Sequence, residues 1–187
     1  MKTIVCVFRC WALNCGLLCL VTTGCWGQFR GEAKIAVFEV AIVKAQHFYC
    51  SKGYELSRCK AETGRLQQLL RQYHAEDLGE WEWILVRSQD WKPLLLQMEL
   101  DPTSPAITTL TERQSLFEEA LFERDAIRDA ELMRSFQVPL NQLLALAVSH
   151  ELGHALCYDR NEDRADRNGE RIRNNQQPTC EASRQRR

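Results

Sequence analysis

The stretch Val148-Ser-His-Glu-Leu-Gly-His-Ala-Leu-Cys157 places His150, Glu151 and His154 in the order H-E-x-x-H. In a helix, residues four apart lie one turn above each other on the same face. Two imidazoles so placed stand at the separation that two ligands of one zinc ion require. Glu151, beside the first of them, faces the position a water would take on the metal. A carboxylate there can accept a proton from that water as a general base. The rival reading is a chance match, with both histidines satisfied as core or surface groups.

The surroundings favour a helix with a metal. Pro139 suits a first helical position, and no Gly or Pro follows before Gly153. Leu144, Val148, Leu152 and Leu156 form a stripe at spacing four, suited to a core. Such a helix is nearly apolar all round except for His150, Glu151 and His154. Three polar groups in one patch of a buried helix need a reason.

Catalytic zinc usually takes three protein ligands and keeps one position open. After His154 the chain supplies acids but no histidine, and Cys157 and Arg160 stand where a metzincin has its glycine and third histidine. Asn161-Glu-Asp-Arg-Ala-Asp-Arg-Asn-Gly-Glu170 reads as a second helix, with Asn161 or Asp159 as N-cap. Tyr158 to Asn161 would join the two helices as an antiparallel hairpin. Glu162 and Asp166, four apart, face the same way. Glu162 has the reach to be the third ligand, and Asp166 can accept the spare ring N–H of a ligating histidine. The two assignments can also be exchanged, and acids at a helix N-terminus can serve the dipole alone. Asp163 and Glu170 point elsewhere.

His150-Glu151-Leu-Gly-His154 followed by Glu162-x-x-Ala-Asp166 resembles the signature of gluzincin-type zinc metallopeptidases, over about residues 140–173. The resemblance implies zinc held by His150, His154 and Glu162, with Glu151 as general base and Asp166 orienting a histidine. It implies an α+β, zincin-like domain in which a small sheet packs on the metal helix. An edge strand, supplied from residues 81–86 or 106–122, would bind an extended peptide. Tyr158 is the nearest candidate donor to an oxyanion. The expected activity is peptide hydrolysis on peptide or protein substrates. The alternatives are an inactive, zinc-stabilised binding module and a disulfide-stapled interaction domain without metal.

Composition bounds the rest. The 187 residues carry 24 Lys+Arg against 25 Asp+Glu and are 45% hydrophobic, which excludes a disordered or nucleic-acid-seeking chain. Residues 1–27 read as a signal peptide: Lys2 and Arg9 lead an apolar run, Cys10 to Val21, too short and interrupted to span a bilayer. Its removal takes two basic groups from a net charge of −1. An uncleaved anchor, or a lipoprotein site at Cys25, is the only route to a membrane. Of nine cysteines, Cys50, Cys59, Cys157 and Cys180 lie outside this segment. An even count in an exported, periplasmic or secreted chain suggests two disulfides in one of three pairings. Cys50 with Cys59 would close a short loop, and Cys157 with Cys180 would staple the tail beneath the metal helix. Residues 28–173 make a single domain, followed by a polar tail, 174–187.

Elsewhere the spacing predicts a helix over 33–48, though its β-branched density also suits a strand, and a second helix over 61–75. Residues 81–86 read as a strand, and 91–98 as a short helix capped by Asp90. A strand at 106–111 turns at Glu112-Arg113 into 115–122, a hairpin partner with a helix as rival. A charged helix covers 123–138. Glu118, Glu119, Glu123 and Asp125 read as a solvated acidic face, and His47 and His74 as edge-of-core or exposed residues.

Overall fold

Alternating side chains in Val37–Val43 and Gln46–Ser51 make an antiparallel pair, β1 and β2, turning at Lys44 (φ 55°). The helix expected over residues 33–48 is therefore corrected to a hairpin. Helical spacing of Ile35, Phe38 and Ile42 competes with the β-branched run, which pairs across a tight turn with the strand that follows it. The computed structural model describes residues 35–75, 78–123 and 126–180. Residues 1–27, the expected signal segment with Cys25, as well as Asp125 of the acidic run and the last seven residues, lie outside them.

Beyond β2 the chain enters α1, Leu56–Gln72, whose N-terminus is capped by the Glu55 carboxylate accepting from the amides of Ser57 and Arg58. Cys59 on this helix is bonded to Cys50 on β2. The aromatic run Trp81–Val86 is β3. Next comes α2, Ser88–Gln97, which starts three residues before Trp91. Asp90 thus lies in its first turn, paired with Arg87, rather than capping it. The hairpin at 106–122 holds as Ala106–Thr109 (β4) and Gln114–Glu118 (β5), followed by a 3-10 turn, Glu119–Leu121. Three helices finish the fold: α3, Ala126–Phe136; α4, Leu140–Cys157; α5, Glu162–Arg173. Pro139 sits just before α4 rather than inside it.

The architecture is mixed α+β, a five-stranded sheet in the order β1-β2-β3-β5-β4. β2, β3 and β5 are mutually parallel, and the two edge strands run against their neighbours. One face of the sheet (Phe48, Trp81, Trp83, Leu85, Phe117) packs on Leu66 and Leu70 of α1 and on Val148 and Leu152 of α4. The other (Ile84, Val86, Leu116) packs on Trp91, Leu94 and Leu95 of α2. Val148 and Leu152 are 0% exposed, each worth roughly 2 kcal/mol of burial. That stripe is what presses α4 onto the sheet.

The acidic face is corrected in part. Glu118 is buried and held by the guanidinium of Arg128, and Glu119 is paired with Arg58 and accepts from the Ser88 amide. These carboxylates tie α3, α1 and α2 to the end of β5. Their charge is compensated by residues on other elements, which a local reading misses. Glu123 also joins Arg58. The described part of the tail is held in place: Cys180 is bonded to Cys157, and the Thr179 amide donates to Asn168. Two disulfides fit an oxidising, exported setting. No described helix is long and apolar enough to cross a membrane.

Candidate metal centre

The antiparallel pair α4 and α5 meets almost backbone to backbone. A Cβ on Gly153 would lie 2.6 Å from the Ala165 carbonyl oxygen, and one on Gly169 would lie 3.1 Å from the backbone of Ser149 and His150. Tyr158, in the left-handed conformation at φ 49°, ends α4, and the Asn161 side chain accepts from the Arg164 amide to start α5. The short hairpin brings the first turn of α5 beside the histidines of α4.

There three ligand atoms converge. His150 Nε2 lies 3.1 Å from His154 Nε2 and 3.1 Å from a Glu162 oxygen, which is 3.4 Å from His154 Nε2. The remaining ring nitrogens are committed. His150 Nδ1 is 2.7 Å from Asp166, and His154 Nδ1 is 2.6 Å from the backbone carbonyl of Asp159. A carbonyl only accepts, so the proton of neutral His154 resides on Nδ1, and the Asp166 carboxylate places that of His150 likewise. Both Nε2 atoms are then lone-pair donors, facing each other and a carboxylate. Three acceptors this close repel unless a metal ion or a proton lies among them. A tetrahedral zinc with ligands at about 2.0–2.1 Å sets neighbouring ligand atoms about 3.4 Å apart. The donor set and its spacing fit that ion.

Glu151 is 4% exposed, and its Oε2 has no hydrogen-bond partner among the described residues. Burial pushes its carboxyl above the usual range, opposed by His150, the Thr108 hydroxyl and His154. For His150, burial works against the charged form, but the carboxylates of Glu151, Asp166 and Glu162 outweigh it and raise the imidazole. Both groups border a cleft of about 810 Å³ between β4 and α4. Leu143, Leu146, Ala147 and Phe136 give it an apolar wall, and Arg160 is its one cationic side chain among the described lining residues. The cleft runs beside β4, whose outer edge has no strand partner among the described residues.

The chain matches no protein-family model, no curated protein and no solved structure.

His150, His154, Glu162, Glu151 and Asp166 are thus all brought together where the sequence reading has them, with Asp166 on His150. Both disulfides have the expected pairing. Tyr158 is not available to an oxyanion: it is exposed, and its hydroxyl donates to the Leu110 carbonyl at 2.8 Å. His47 pairs with Glu39 on the outer part of the β1–β2 hairpin, and His74 is exposed; neither joins the cluster. Missed from sequence were the Asp159 carbonyl, Thr108 and Arg160. The first is a main-chain atom and the others depend on tertiary placement, so none carried a local signal.

Proposed function

We propose that this chain is an exported zinc-dependent peptidase of the gluzincin type, on a small zincin-like domain. The observation that carries the reading is the triangle of His150 Nε2, His154 Nε2 and Glu162, three acceptors at 3.1–3.4 Å with both Nδ1 atoms already engaged. Bound there, zinc supplies a Lewis acid that polarises a carbonyl and lowers the pKa of water.

The chain's own residues do the rest. A peptide laid along the free edge of β4 can form strand-like hydrogen bonds, which hold its scissile carbonyl beside the cluster. Oε2 of Glu151, buried and without a partner among the described residues, takes a proton from the attacking water. It then delivers that proton to the departing amine as the C–N bond breaks. Asp166 and the Asp159 carbonyl keep the two imidazoles in the ligating tautomer.

Metal analysis of the purified protein beside Glu151→Gln tests this. We expect about one zinc per chain in both, with hydrolysis of unfolded casein lost only in the variant. Wild-type protein without zinc overturns the site. Zinc with no hydrolysis in either protein overturns the peptidase and leaves a zinc-stabilised binding module.

A further inference from the structure

Along α4 the side chains bordering the cleft change character in order. Leu143, Leu146 and Ala147 give an apolar wall, His150, Glu151 and His154 follow, and Arg160 stands just beyond the end of the helix. The cleft is otherwise acidic, with five carboxylate side chains against this one guanidinium among the described lining residues. An anionic group of a ligand therefore has a single side-chain cation to pair with, and it stands at one end.

That end is closed. The Tyr158 hydroxyl donates to the Leu110 carbonyl at 2.8 Å, and Arg160 Nη2 donates to Thr111 Oγ1 at 3.1 Å. The loop after α4 is thereby tied to the chain just past β4. The Arg113 amide also donates to the Leu110 carbonyl, at 3.3 Å. A carbonyl has two lone pairs, so that of Leu110 has none left for a peptide, and pairing along the edge of β4 stops short of it. Tyr158 follows His154 by four residues, which is about 6 Å of helix rise. Such a length holds about two extended residues. Arg160 is exposed, and no ion pair engages it among the described residues. Thr111 takes one of its five N–H donors and leaves the others for a ligand.

We infer that Arg160 anchors the C-terminal carboxylate of a peptide substrate, so that the cleft takes chain ends and releases one or two residues from them. The inference rests on the peptidase reading. Residues before the scissile bond lie on the wall of Leu143, Leu146 and Ala147, which favours apolar side chains there. Residues after it lie between His154 and Arg160. Water adds across the C–N bond, its hydroxyl to the carbonyl carbon and its hydrogen to the amine, leaving a shortened peptide acid and a free amino acid or dipeptide. The planar guanidinium matches a carboxylate through two parallel N–H···O bonds. Laid the other way round, a peptide would put its carboxylate on the apolar wall, away from Arg160. A chain running on past the site would meet the two ties at Leu110 and Thr111.

The test uses an N-acetylated tetrapeptide of alanine and leucine, as the free acid and as the C-terminal amide. We expect the wild type to cleave the acid with kcat/KM about 100-fold above the amide, and mass spectrometry to find one or two residues removed. Arg160→Gln should bring the acid down to the level of the amide, mainly through KM and at unchanged zinc content. Arg160→Lys, a point charge without the fork, should recover part of the preference. Equal rates on acid and amide, equal losses on both in Arg160→Gln, or hydrolysis of casein but of neither peptide overturns the anchor. Isothermal titration calorimetry of Glu151→Gln with the two peptides reads the same preference without turnover, and decides alone should Arg160→Gln not fold. Zinc-loaded wild type that cleaves neither the peptides nor casein overturns the peptidase reading. The anchor is then judged on binding, and equal affinity for acid and amide, or none for either, overturns it.

Discussion

The backbone carbonyl of Asp159 accepts the Nδ1 proton of His154 at 2.6 Å, so one of the two candidate ligand rings is oriented by main chain and not by a neighbouring side chain. The other, His150, depends on the Asp166 carboxylate at 2.7 Å. The two histidines therefore respond differently to mutation. Asp166→Asn should weaken zinc binding about 10- to 100-fold, the usual effect of losing a carboxylate behind a ligating imidazole. Asp159→Ala keeps its carbonyl and should weaken binding several-fold less than Asp166→Asn. Competition titration against a chelator measures both, and equal losses would contradict the assignment.

Asp159 has a second task that acid can report. Its side chain pairs with Arg164 and accepts from the Asn161 amide, joining the loop to the start of α5. The Arg164 guanidinium holds its carboxyl down at about 2, from 3.8. A depressed folded value means that the stabilisation is fully present above 3.8 and disappears as pH falls towards 2. Because the pair is partly exposed, its share is screened to about 1 kcal/mol. Urea midpoints should fall between pH 4 and 2 in the wild type, and the Asp159→Asn variant should lose that part of the slope.

Cys157 and Cys180 are 23 residues apart, and Cys50 and Cys59 only 9. Chain-entropy arguments give about 3.4 kcal/mol for the longer loop and about 2.6 kcal/mol for the shorter. The double variant Cys157→Ser, Cys180→Ser should therefore show the larger drop in Tm. Since Cys157 lies three residues after His154, it should also lose zinc affinity, whereas Cys50→Ser, Cys59→Ser should not. Differential scanning calorimetry with metal titration separates the two effects.

What could be read in advance was whatever depends on helical spacing. H-E-x-x-H and Glu162 with Asp166 each lie within one turn, so their geometry follows once the helices are granted. Residues 33–48 were misread because β1 is held by pairing with β2, and β2 in turn lies on β3, more than thirty residues on. Glu118 and Glu119 were placed in solvent because Arg128 and Arg58, which bury them, sit on other elements. Thr108 looked like an ordinary strand residue, since the approach of α4 to β4 is needed to bring it to the same cleft as Glu151.

The close approach of α4 and α5 at Gly153 and Gly169 also bears on which ion the cradle accepts. Helices already touching along the main chain can move no nearer, and the short loop with the Cys157–Cys180 link resists their parting. Ligand spacing is then inherited from peptide geometry rather than negotiated by side chains. An ion as large as calcium, with oxygens at about 2.3–2.6 Å and six or more ligands, would find neither the room nor the donors. If the proposed zinc site is right, selection by ionic radius is thus written into two positions that carry no side chain at all.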